Sequence, residues 1–90
     1  MLPEKEAVLK IYAQINDTLN DIRKRRSGNS DDQIIADYTQ EIDHHEIETL
    51  AYQFTYMNTL LRVLSFLEVS LEMRDLGLED LVRRYCEIIP

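Results

Sequence analysis

The stretch YMNTLLRVLSFLEVSL, residues 56–71, carries ten apolar side chains in sixteen positions of a chain that is otherwise polar and acidic. Something must cover that hydrocarbon. A lipid-crossing helix needs about 18 to 20 consecutive apolar residues, and here Asn58, Thr59, Arg62, Ser65, Glu68 and Ser70 interrupt the run. The cover is therefore protein. The spacing predicts a long helix over about 44–74. At roughly 100° per residue, Leu50, Phe54, Met57, Leu61 and Leu64 share one face, while Tyr52, Tyr56, Leu60, Val63 and Leu67 share a second, roughly 120 to 140° away. The polar remainder is a narrow strip of Glu48, Thr55, Asn58, Arg62, Ser65 and Glu72.

Working outward toward the N-terminus, Pro3 suits a first helical turn, and Glu4 and Glu6 follow where the positive end of the helix dipole favours carboxylates. Val8, Tyr12, Ile15, Leu19 and Ile22 recur at spacings of four and three, the seam of an amphipathic helix, with Leu9 and Ile11 widening it. The basic run RKRR, 23–26, opposes the dipole at the far end, and Gly28 is placed to take a left-handed cap. SDDQ, 30–33, then reads as a capping box opening a second helix. The connection of about three residues predicts neighbouring antiparallel helices.

From Ile34 the apolar stripe continues through Ile35, Tyr38 and Ile42, and its phase slips after Asp43, where DHHE, 43–46, reads as another capping box. A break near Asp43 is expected, with one continuous bent helix from 31 as the alternative. Beyond the long helix, Asp75, Leu76 and Gly77 are expected to end it, Gly77 as its cap. LEDLVRRYCEIIP, 78–90, makes a short fourth helix with Leu78, Leu81, Val82, Tyr85, Ile88 and Ile89 on one side.

These elements set a coverage problem. The first helix has one seam and the short helices a few apolar side chains each, enough for one broad face of the long helix. Leaving five side chains of the second face wet forgoes on the order of 5 to 10 kcal/mol, as much as the whole stability of a small domain. The surplus predicts a homodimer, or a second protein, seated on Tyr52, Tyr56, Leu60, Val63 and Leu67. The alternative is a compact monomer whose short helices cover both faces.

Composition bounds the function. Ninety residues make a single helical domain, 1–90, and a chain this short buries only roughly 60 to 65% of its unfolded surface. A net charge of −7 opposes a phosphate backbone and argues against direct nucleic-acid binding. One cysteine, Cys86, permits no internal disulfide and suits a reducing compartment. MLPEKEAV lacks the basic region and apolar core of a secretory signal, so the expected location is cytoplasmic, with no membrane contact.

QFTYMNTLLRVLSFL, 53–67, resembles the C-terminal helix of the TraM antiactivators of LuxR-type quorum-sensing regulators, chiefly in the order Gln53, Asn58, Thr59, Leu60, Leu64 and Phe66. The resemblance covers about a sixth of the chain and implies a helical dimer whose surface captures the regulator's DNA-binding domain, so that the activator leaves its promoter. An acidic protein suits that task, since it competes for a surface that otherwise faces phosphate. The chain departs from the family by continuing about twenty residues past the matching helix, and no family binding residue is carried over.

Other candidate chemistry is thin. Glu41 with His45, or His44 with Glu48, lie four apart and could chelate a divalent metal on a continuous helix, yet each pair supplies two ligands only, and a solvated junction titrating near the histidine pKa explains them as well. RKRR reads as a solvated helix end rather than an anion grip. Arg83 and Arg84 can pair with surplus carboxylates. Glu68 falls on the apolar meridian of Leu61 and Leu64, where a charge needs water, an arginine or a partner. Cys86 has no histidine near it in sequence and looks structural. The tyrosines at 12, 38, 52, 56 and 85 serve a core or an interface equally. No Gly-rich phosphate loop, nucleophile elbow, CxxC pair or HExxH motif occurs.

The sequence thus predicts an all-α protein, an antiparallel helical hairpin or bundle of two long and two short helices, dimeric and acting by protein binding. Its expected function is a non-enzymatic regulator that sequesters a transcription factor or similar basic partner, with a structural or adaptor subunit of a larger complex as the alternative. No catalytic residue, metal, cofactor or small-molecule substrate is expected.

Overall fold

The computed structural model describes residues 3–40 and 44–88, with the side chains of Pro3, Glu4, His44 and His45 left out. The break expected near Asp43, its DHHE box, Ile42, the Glu41/His45 and His44/Glu48 pairs, Ile89 and Pro90 lie outside the described residues and side chains. All regular structure among the described residues is helical: α1 (Pro3–Arg25), α2 (Asp31–Gln40), α3 (His44–Phe66), a 3-10 turn at Leu71–Met73, and α4 (Leu76–Cys86). They form a body of 44 × 24 × 17 Å.

α1 buries the expected seam, Val8, Tyr12, Ile15, Leu19 and Ile22, together with Ile11. Leu9 does not widen it: it is 59% exposed, about 100° round the helix from its buried neighbour Val8. The helix closes with Arg23, Lys24 and Arg25 in its last turn, and Gly28 takes the expected left-handed conformation at φ 90°. The connection to α2 runs over 26–30, longer than expected because α1 stops at Arg25 and Ser30 sits outside α2. Ser30 Oγ accepts from the Gln33 amide at 3.2 Å. Half of the capping box is absent, since the Gln33 side chain donates to Asp37 one turn on at 2.9 Å.

α2 adds Ile34 and Tyr38 to the core, both buried. It is not collinear with α3. Tyr85 of α4 donates to Asp31 at 2.8 Å, while the adjacent Cys86 lies 3.8 Å from the Phe54 carbonyl. On one straight helix Asp31 and Phe54 would stand roughly 35 Å apart, beyond the joint reach of two neighbouring side chains.

α3 packs against both α1 and α4. Its inward residues Leu50, Phe54, Met57, Leu61 and Leu64 are all buried, and α4 adds Val82, Tyr85 and Ile88 to the same core. Phe54 and Tyr85 meet with ring centroids 6.3 Å apart, within the range where tilted aromatic pairs attract.

The long helix is shorter than the spacing predicts, ending at Phe66 instead of running to 74. Glu68, expected on its apolar meridian, is an exposed turn residue with φ 51°, and its amide donates to the Ser65 carbonyl at 3.2 Å, a left-handed termination more usual for glycine. Gly77 caps nothing; it lies in the first turn of α4, whose N-cap is Asp75, accepting from the Leu78 amide at 3.0 Å. The physical reason is tertiary. The Asp75 amide donates to Tyr12 Oη of α1 at 2.9 Å, and Tyr12 Oη donates to Glu79 Oε2 at 3.0 Å. Turning the chain at 67–75 lets α4 fold back on the core, a gain that the helix spacing of 67–74 does not reveal.

Glu79 is the buried centre of this return, fully enclosed and ion-paired with Arg74 and, at 3.7 Å, with Arg83. Burial by itself raises its carboxyl, but hydrogen bonds from Arg74 and Tyr12 and the charges of Arg74 and Arg83 outweigh it, holding Glu79 below the usual carboxylate range.

Candidate protein-binding site

The outward side of α3, followed through Leu67, carries most of the exposed large apolar side chains of the described residues, with Leu9, Leu71, Met73 and Leu76 exposed elsewhere. Tyr52 is 79% exposed, Tyr56 40%, Val63 37%, Leu67 40% and Phe66 84%. These residues follow the helix at spacings that keep them within roughly 100° of one another, opposite the inward face. Leu60 is the exception among the five expected: it is 9% exposed and belongs to the core, because it sits at the margin nearest the inward side. Phe66 takes its place, a residue that the periodicity left out since it lies on the far edge of the strip.

Position along α1 defines one border. The Arg25 guanidinium donates to Gln53 at 3.1 Å and to Asp21 at 3.1 Å, and Gln53 donates to Asp21 at 2.8 Å, a small network bridging α1 and α3. Beside it Asp17, Thr18, Asp21, Tyr52, Gln53 and Tyr56 line a shallow groove of about 280 Å³. The strip is thus an aromatic ridge with carboxylates along its α1 flank.

Most of the chain's arginines face its own acids. Arg23 holds Asp31 through two hydrogen bonds of 2.8 and 2.9 Å; those bonds chiefly, with Tyr85 adding another, hold Asp31 below the usual carboxylate range against the effect of burial. Arg26 pairs with Glu46 at 3.2 Å and lies 4.5 Å from the centre of the Tyr38 ring. Arg84 meets Asp32, and Arg83 meets Asp80 at 3.0 Å. The RKRR run is therefore internal bracing between α1, α2 and α3, and of its four cations only Lys24 has no ion pair among the described residues.

Cys86 is half-buried and free, and burial pushes its thiol up, partly offset by a hydrogen bond with Asn58; a thiol so placed is a poor nucleophile at neutral pH. Tyr12, Tyr38 and Tyr85 are core residues, leaving Tyr52 and Tyr56 at the surface. Among the described residues no three or more His, Cys, Asp or Glu side chains gather as a metal site, and no helix is long and apolar enough to cross a membrane. Compared with protein-family models, with curated proteins and with solved structures, the chain matches none at a significant level.

Proposed function

We propose that this chain is a non-enzymatic protein-binding regulator that works as a homodimer and sequesters a transcription factor or similar basic partner. In this reading α1 and α3 form an antiparallel hairpin, and the outer side of α3 is a contact surface instead of unfinished core. The carrying observation is the strip Tyr52, Tyr56, Val63, Phe66 and, just past the helix end, Leu67, left in water while the Leu- and Met-rich face of the same helix is buried. Exposed apolar patches of a few hundred Å² are often functional.

Charge supports the partner's chemistry. Six of the seven arginines are engaged with carboxylates of the same chain, so the surplus behind the net charge of −7 lies in exposed acids such as Glu6, Asp17, Glu48, Glu72 and Glu87. That surface attracts a basic face and repels phosphate. With the TraM-like order of residues 53–67, the DNA-binding domain of a LuxR-type activator is the partner to test. A large excess of this protein should strip such an activator from its promoter DNA; unchanged occupancy rejects the reading.

A structural adaptor is the second reading. It is favoured by Leu71 and Leu76, 70% and 49% exposed on the segment before and at the start of α4, which offer a further apolar contact. Recovery of the native protein in a stoichiometric complex without a DNA-binding subunit supports that alternative.

A further inference from the structure

From Thr49 to Leu67, nineteen residues, Arg62 is the one charged side chain, in a protein where charged residues make up 30%. The two most exposed aromatics of the molecule, Tyr52 and Phe66, each lie seven residues from Thr59, one on either side. We propose that the exposed strip of α3 seats the α3 of a second copy of this chain, antiparallel and related by a two-fold axis at Thr59. The proposal rests on the homodimer of the preceding reading and supplies its geometry.

In an antiparallel pair centred on Thr59, residues equally far from it on opposite sides face each other across the axis. Phe66 then meets Tyr52 of the second copy, Arg62 meets its Tyr56, and Val63 meets its Thr55; the two-fold repeats every pair. These are aromatic on aromatic, cation on aromatic face, and methyl on methyl, each an attractive combination. Thr59, small and exposed, lies where the helices cross and lets them approach. A parallel pair fails on the same residues, since it sets Arg62 against Arg62 with no acid between Thr49 and Leu67 to separate them.

The area suffices for a second copy, and the charge of the strip's centre sets it apart from a site for a basic partner. With an aromatic side chain presenting about 150 to 250 Å², the strip exposes roughly 500 Å² per chain, and closing two of them removes about 1,000 Å², the lower bound for a specific interface. Between Tyr52 and Leu67 the one charge is the cation Arg62, so the middle of the strip offers a basic partner no counter-charge. Such a partner would be drawn to exposed acids away from the centre of the strip, such as Glu6, Glu72 and Glu87.

The test uses the full chain carrying Cys86→Ala, so that introduced cysteines act alone, with Thr59→Cys and Val63→Cys made separately; both replace exposed side chains, and helical circular dichroism checks folding. Light scattering should report twice the chain mass for both. Under mild oxidation Thr59→Cys should convert mostly to covalent dimer and Val63→Cys should not. The two Val63 positions stand about 12 Å apart along the axis in this register, whereas a disulfide needs Cα atoms within about 7 Å. Cross-linking of both variants indicates a parallel pair and overturns the proposal. A dimer that cross-links through neither places the interface elsewhere and overturns the register while leaving the homodimer standing. A monomeric mass at high micromolar concentration overturns both, whereas a Thr59 cross-link in a protein that leaves promoter occupancy unchanged upholds the register and rejects the regulator.

Discussion

The two sides of α3, followed through Leu67, each carry five large apolar or aromatic side chains and are opposite in fate. Leu50, Phe54, Met57, Leu61 and Leu64 are buried, and Tyr52, Tyr56, Val63, Phe66 and Leu67 are open to water. The inward residues are aliphatic apart from Phe54. The outward set is dominated by aromatics, two of them tyrosines, whose hydroxyls tolerate both exposure and contact. The difference teaches that burial within one chain is decided by where the covering helices can reach. α1 and α4 lie on one side, held there by Glu79 bonded to Tyr12, Arg74 and Arg83.

The largest way to break that contrast is to unlock α4. Replacing Glu79 with Gln leaves the Arg74 cation without its buried counter-charge and should cost about 3 to 5 kcal/mol at neutral pH, read by urea denaturation. The sign of the pH dependence follows from the lowered carboxyl. The unfolded chain holds the proton more tightly, so stability is fully present above the unfolded carboxylate value near about 4.3 and is lost as pH falls through the lower folded value. Asp31 acts in the same direction. Wild type should therefore lose stability progressively below about pH 4 and converge on the Glu79→Gln variant; parallel curves down to low pH would show that Glu79 does not contribute as an ion.

Next in size is a direct exchange between the faces. Leu64→Ala should cost roughly 2 to 5 kcal/mol because it opens a cavity in a fully buried position. Tyr52→Ala should change the stability of dilute protein by less than about 0.5 kcal/mol, yet reduce self-association seen by light scattering. Comparable losses from the two substitutions would mean that the outward face is covered in the dilute protein as well.

The smallest effect concerns the turn that ends α3. Glu68 holds φ 51°, a region that glycine enters without steric cost. Glu68→Gly should leave the fold unchanged and shift stability by less than about 1 kcal/mol, upward if relief of strain exceeds the added freedom of the unfolded chain. A loss above that size would show that the Glu68 side chain has a role in holding the 67–75 return.

Much of this was legible along the chain because helix periodicity is a local property. The seam of α1, the inward face of α3, the left-handed Gly28 and the amphipathic tail all follow from side chains three and four apart. The uncovered strip was legible too, in Tyr52, Tyr56, Val63 and Leu67, though Leu60 and Phe66 changed places because a residue at the margin of a face is assigned by its neighbour's position, which spacing alone does not contain. The burial of Glu79 is not legible along the chain for a related reason. A glutamate inside LEDLVRR reads as solvent-facing, and its burial depends on Tyr12, sixty-seven residues earlier.

By itself the sequence determined helices, their inner seams and an excess of apolar circumference on the longest of them, since these depend on chemistry repeated within a turn or two. Only the tertiary structure decided where α3 stops, which cations are already matched, and that a buried carboxylate draws α1 and α4 together, since each depends on groups that meet only after the chain has turned back on itself.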